Sequence, residues 1–276
     1  MKRVMNRFTH IKNAFVDDSD IAEYINLDSS FFVYNKLLSA IKKPLKLVLF
    51  YGKPGSGKTF LLHKIKNDLK DDEGVVFFPY PFFDEKEFLH SLYNEIFKTQ
   101  PDMCIDSYEV FLRLYKDKSL KDEKELRANP ITIILDEAQM YPKELIEKIR
   151  LMADTYMFKF LFTIHKTQES EDILAKEYFQ TRIWESIELE SLCVEEVKVY
   201  IRNKIGNDVK NIFNDNDYNL IMYFTLGNLR TINKLMYKVF ELFEFYDFHK
   251  PSILEESNIN TQIIEMAAID RKLINA

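Results

Sequence analysis

The chain has 276 residues, enough for one large domain or two modest ones that bury most of their unfolded surface without disulfides or a structural metal. Apolar residues make up 46% and charged residues 30%, and the net charge of −6 excludes a global positive field that would attract nucleic acid or an anionic membrane. The two cysteines, Cys104 and Cys193, have no Cys or His close by, which argues against a disulfide framework or a zinc site and for a reducing cytoplasm.

The start carries Lys2, Arg3 and Arg7 but no apolar run follows, so it does not read as a secretory signal. No stretch approaches the roughly 18 apolar residues of a spanning helix. A soluble, cytoplasmic protein is expected, with any attachment to the inner membrane made through partners. Residues 45–51, LKLVLFY, form a short apolar run ending at a glycine, which suits a buried strand. Leu61, Leu62, Ile65 and Leu69 then recur at helical spacing and predict a helix from about Lys58 to Lys70. After the turn at 71–74, Val75 to Phe78 reads as a second strand. Phe88, Leu89, Leu92 and Ile96 mark a helix, and a weaker one spans Tyr108 to Tyr115. The charged segment 116–127 reads as solvated surface.

Ile131 to Leu135 is a third buried strand, and Pro142 opens a helix that turns Leu145, Ile149 and Met152 inward. Phe158 to Ile164 is a fourth strand, and the alternation of Ile183, Glu185, Ile187 and Leu189 suggests a fifth, partly exposed one. Beyond Ser191 only helical periodicity remains, over 194–205, about 216–226, 229–244 and about 258–273. Strands alternating with helices predict an α/β domain, a parallel sheet covered on both faces, over residues 1–190. Residues 191–276 then form a small all-helical domain.

Gly52-Lys53-Pro54-Gly55-Ser56-Gly57-Lys58-Thr59 matches G-x-x-x-x-G-K-[ST] in full and lies between a predicted strand and a predicted helix. The chain has only six glycines, and three of them fall within 52–57, so an incidental glycine turn is a poor explanation. Glycines let successive backbone N–H groups point inward around a phosphate, and the helix N-terminus adds its dipole. Lys58 is expected to bridge the β- and γ-phosphates and the Thr59 hydroxyl to ligate Mg²⁺, with Phe60 following in the same binding turn. The second half is ITIILDEAQ, residues 131–139, where Asp136 emerges at a strand's carboxyl end. Asp136 is expected to hold Mg²⁺ through water and Glu137 to polarise the water that attacks the γ-phosphate.

Four stretches carry a family resemblance. They are AFVDDSDIAEYINLDSSFFVYNKLLSAI (14–41) ahead of the phosphate loop, DEAQ (136–139), Phe179-Gln180-Thr181-Arg182-Ile183, and Thr225-Leu226-Gly227-Asn228-Leu229-Arg230-Thr231-Ile232-Asn233. Together they resemble AAA+ P-loop NTPases, and within these the branch containing ExeA, the general secretion pathway protein A ATPases. Transposition ATPases of the TniB and MuB type lie close by. The resemblance implies a five-stranded parallel sheet sandwiched by helices, a C-terminal helical lid, and ATP as the nucleotide, since no N-K-x-D guanine signal is present. It makes Arg230 a sensor of the γ-phosphate and Arg182 an arginine finger for a neighbouring subunit's site, which implies a homo-oligomer. The polar sensor at the end of the fourth strand falls to Thr163 or His165. Gln139 is expected to touch the γ-phosphate or a partner.

ExeA-type proteins carry a membrane span and a peptidoglycan-binding region after the ATPase. Neither is present through Ala276, so a direct role in cell-wall remodelling is not expected. The expected function is an ATP-hydrolysing accessory motor or switch for a membrane-associated machine in secretion, pilus assembly or DNA uptake, working through a protein partner. The alternative is a DNA-associated ATPase that assembles on duplex DNA and recruits a recombination enzyme. A slow signalling switch is a third reading. The acidic balance disfavours nucleic acid.

Overall fold

A computed structural model describes residues 7–16, 25–69, 74–121, 130–166, 182–206 and 212–274. In chain order the elements are α1 (Arg7–Asn13), α2 (Asp28–Lys42), β1 (Leu47–Gly52), α3 (Lys58–Asp68), β2 (Val75–Phe78), α4 (Glu85–Phe97) and α5 (Tyr108–Lys121). Then come β3 (Ile131–Leu135), a 3₁₀ turn (Ala138–Met140), α6 (Lys143–Ala153), β4 (Phe158–His165), β5 (Glu185–Leu189), α7 (Val194–Ile205), α8 (Asp215–Thr225), α9 (Leu229–His249) and α10 (Ile259–Asp270).

The chain divides into two compact units. Phe32–Gly52 and Lys58–Leu189 make the sheet unit; residues up to Phe31, Lys53–Gly57 and Glu190 onward make the helical unit. In the sheet unit the strand order is β2-β3-β4-β1-β5, with every neighbouring pair parallel. Gly52 stands beside His165 and Leu189, and Leu135 beside Phe78 and Phe162, so these strands end along one edge. All five residues of β3 are buried, as expected of a central parallel strand with both faces covered. One face carries the core of Phe88, Leu92, Phe111, Ile149, Phe158 and Phe160. β5 alternates, burying Ile187 and Leu189 and leaving Ser186 exposed, because it has a neighbour on one side only.

The helical unit has its own core, built on Tyr200, Ile201, Ile221, Leu235, Val239, Phe240 and Ile263. Of the described residues, 7–16 and 25–31 group with it, where the sequence reading put them with the sheet. The reason is packing: Phe8 stacks on Phe243 at 5.3 Å and Phe15 on Phe240 at 5.7 Å. Lys12 pairs with Glu244 at 2.5 Å, which lowers the carboxyl below its ordinary range through that hydrogen bond. Two boundaries also differ from expectation. α5 continues to Lys121, into the segment read as solvated surface, whose remainder at 122–129 lies outside the described residues. α9 runs to His249, past the last buried position at Phe243, with exposed Phe245 and Phe248 on its final turn. Among the described residues no helix is long and apolar enough to cross a membrane.

Candidate nucleotide site

The phosphate loop leaves the carboxyl end of β1 at Gly52 and enters α3 at Lys58. Gly55 and Gly57 have φ of +78° and +96°, which side-chain-bearing residues adopt only with strain. Gly55 has a second constraint. A Cβ there would lie 2.8 Å from both the Arg230 Cβ and the Asn228 Oδ1. This close approach is fixed by the Asn228 amide, which donates to the Pro54 carbonyl at 2.7 Å, and by the Arg230 N–H, which donates to Gly55 at 3.2 Å. Asn228 also caps α9, accepting from the Thr231 N–H. Gly227 before it has φ +69°, and a Cβ there would sit 2.1 Å from the Leu192 carbonyl. The sequence G-N-L-R therefore joins the loop to the first turn of α9 through backbone and cap, with the Arg230 side chain exposed.

In the sheet unit, Lys58 is buried and its Nζ donates to the Gly52 carbonyl at 2.9 Å. Asp136 lies one residue beyond β3 and is only 1% exposed. Its backbone N–H extends the β2–β3 ladder by donating to Phe78 at 3.0 Å. The carboxylate accepts from the Thr59 hydroxyl at 2.7 Å, from the Glu137 N–H at 2.9 Å, and from the Thr163 hydroxyl. Among the described residues it makes no salt bridge. The donors to it are thus hydroxyls and one backbone N–H, an arrangement with room in its coordination for an added cation. Burial, and next the charge of Asp136, push the neighbouring Tyr141 hydroxyl well above its ordinary value, so that phenol stays protonated.

Glu137 takes the left-handed conformation, φ 53° and ψ 40°, which costs a non-glycine residue about 1–3 kcal/mol. Two acceptors hold its N–H in place, Asp136 and the Thr163 hydroxyl at 3.1 Å. Its carboxylate meets the His165 Nε2 through one oxygen at 3.1 Å and the Gln139 amide through the other. Thr163 and His165, both weighed as the strand-end sensor, thus occupy different places. Thr163 is fully buried and bridges Asp136 and Glu137, while His165 faces the Glu137 carboxylate.

Arg182 does not join this group. It pairs with Asp154 at 2.9 Å at the amino end of the strands, beside Lys46, which also reaches Asp154. Residues 179–181 of the stretch that suggested it lie outside the described residues, as do 17–24 of the lead-in. Ser56 and Lys53 lie in the loop, Ser56 buried with a hydroxyl that lacks a hydrogen-bond partner among the described residues. Phe60 follows Thr59 in the first turn of α3. Sequence reasoning gave no role to Asn228 or Tyr141. A residue before an apolar helical run, of a type that caps helices, signalled the first; nothing local signalled the second.

A five-stranded parallel sheet in this order, with a glycine loop after β1 and an acidic pair after β3, defines the AAA+ P-loop NTPase fold. Residues 42–172 match the family described as an AAA domain. No curated protein matches the sequence. Solved structures of similar fold include Drosophila ORC bound to DNA, 10% identical with a TM-score of 0.60, covering 100% of this chain and 68% of that one. Cdc6p from Pyrobaculum aerophilum is 14% identical with a TM-score of 0.62, and the match covers 86% of this chain and 66% of that one. The Thermotoga maritima RuvB Holliday junction branch migration motor is 17% identical with a TM-score of 0.53, covering 93% and 73%. This chain thus spans roughly two thirds of the length of the first two.

Proposed function

We propose that the chain binds ATP with Mg²⁺ and hydrolyses it, using the cycle as a switch for a partner. The observation that carries this reading is the buried Asp136 carboxylate, hydrogen-bonded to the Thr59 hydroxyl at the head of α3 and making no salt bridge among the described residues. The residues present fit the group. Gly55 and Gly57 open the loop toward backbone donors, Ser56 keeps a buried hydroxyl without a partner among the described residues, and Lys58 sits ready to trade the Gly52 carbonyl for a phosphate oxygen. Thr59 and Asp136 would hold Mg²⁺, which when bound would neutralise phosphate charge. Glu137 takes the proton of the attacking water. Phosphate occupancy of the loop is felt by the C-terminal helices through the Asn228 and Arg230 contacts to Pro54 and Gly55. Arg182 serves a neighbouring copy in a homo-oligomer, and must leave Asp154 to do so.

For the partner, the ExeA-like DEAQ and G-x-x-R-x-I-N stretches favour an accessory ATPase at a membrane-associated machine. The alternative, assembly on duplex DNA, draws on similar structures that are described as bound to DNA or as a branch migration motor. Hydrolysis by purified protein, with and without duplex DNA, beside Lys58→Ala and Glu137→Gln, tests both. Turnover lost in both variants and indifferent to DNA supports the protein-partner switch. Turnover stimulated by DNA, and lost steeply with salt, supports the DNA reading. Tight ATP binding with no turnover in either condition would refute the enzyme.

A further inference from the structure

We propose that Gln139 is the positioning residue for the Glu137 carboxylate, holding it together with His165 in the orientation that accepts the proton from water. The inference rests on the reading of the chain as an ATPase. A glutamate's terminal torsion is broad, so an unrestrained carboxylate turns freely about its last bond. Here both oxygens have a neighbour, one a hydrogen-bond donor and the other an imidazole nitrogen. His165 Nε2 approaches Oε1 at 3.1 Å and the Gln139 amide donates to Oε2. The amide donor on one oxygen and the imidazole against the other restrict the turning of the group, and lone pairs remain for the water.

The backbone is built to bring Gln139 there. Ala138 is buried, and the 3₁₀ turn is closed by the Met140 N–H donating to the Glu137 carbonyl at 2.8 Å. The left-handed backbone of Glu137 swings its side chain toward the residue two positions on. The amide has one sensible orientation, because a flip would set its oxygen against a carboxylate. That leaves Gln139 Oε1 as the free end, and it is buried without a hydrogen-bond partner among the described residues. A buried acceptor left over beside a catalytic carboxylate is available to the second hydrogen of the same water.

The test compares Gln139→Ala and Gln139→Glu with wild type and Glu137→Gln, measuring kcat, KM and ATP affinity, with and without duplex DNA. Gln139→Glu keeps the size of the side chain but offers a carboxylate where a donor is needed. Both Gln139 variants are expected to lose about tenfold or more in kcat, as for removal of a hydrogen bond to a charged group, with KM, ATP affinity and melting temperature unchanged. Wild-type turnover that is lost in Glu137→Gln but retained in either Gln139 variant overturns this inference alone. Faster turnover in Gln139→Ala overturns it too, since the amide would then be restraining the base. Wild-type protein that binds ATP without turning it over removes the proposed function, and this inference with it.

Discussion

Two aspartates stand at opposite ends of the same strands and are treated in opposite ways. Asp154, after α6 at the amino edge, is 42% exposed in its side chain and is surrounded by cations, with Lys46 at 3.2 Å, Arg182 at 2.9 Å and Arg150 at 3.4 Å. Asp136, after β3 at the carboxyl edge, is 1% exposed, and its carboxylate takes hydrogen bonds from neutral donors alone. A chain selected only for stability would pair the buried charge and leave the exposed one to water, because isolated buried ions are expensive and surface pairs contribute little. The inversion is what the proposed nucleotide site requires of the carboxyl edge, where local stability would be given up for function.

The largest effect should come from breaking the carboxyl-edge arrangement at its centre. Asp136→Ala is expected to reduce ATP hydrolysis by about a hundredfold or more, as loss of a metal's charge stabilisation does, while ATP affinity measured in EDTA stays near wild type. Hydrolysis within a few-fold of wild type would mean that the buried carboxylate is a structural relic of the strand end. A middle-sized effect is expected from Thr163→Val, which keeps the shape of a fully buried side chain but removes the hydroxyl shared by Asp136 and the Glu137 N–H. The left-handed Glu137 loses one of its two acceptors, so stability should fall by about 1–3 kcal/mol and turnover should fall with it. Urea denaturation and hydrolysis measured on the same preparation would check both. A fall in stability alone would confine Thr163 to packing.

Much of this was legible in the residues because short-range chemistry dictates it. Four apolar residues and a threonine ending in Asp-Glu suit a buried strand with its acids at the exit, and a glycine-rich turn before Lys-Thr suits close backbone approach to a phosphate. Parallel pairing followed less directly, from strands alternating with helices, and the order of the strands was not legible at all. Other features were not legible, for physical reasons that are equally clear. The sequence gives no sign that α1 packs with the C-terminal helices, because Phe8 and Phe15 meet Phe240 and Phe243 across more than two hundred residues. The partner of Gln139 depends on a positive φ at Glu137, which no propensity would assign to a glutamate. That Arg182 pairs with Asp154 was not legible either, because the partner lies 28 residues away, before a different strand.

The smallest effect belongs to the amino edge. The Asp154 carboxyl is shifted below its ordinary value: partial desolvation pulls it up, but the hydrogen bond and charge of Lys46, then Arg182 and Arg150, outweigh that. A carboxylate whose folded pKa is depressed adds stability above its ordinary value of about 3.8, and that stability is lost as pH falls through the folded value. Asp154→Asn should therefore cost about 1 kcal/mol or less at pH 7, the range for exposed pairs, and the gap from wild type should narrow below about pH 4 and close as pH falls through the depressed folded value. High salt should shrink it as well, since these charges are open to screening. Hydrolysis by the isolated chain is expected to be unchanged. Denaturant midpoints for both proteins at pH 7 and pH 3.5, with and without 1 M salt, measure this directly. A loss several times larger, or a gap that persists in acid, would mean that Asp154 fixes the strand ends by hydrogen bonding and not by charge, and the contrast between the two edges would then be one of burial alone.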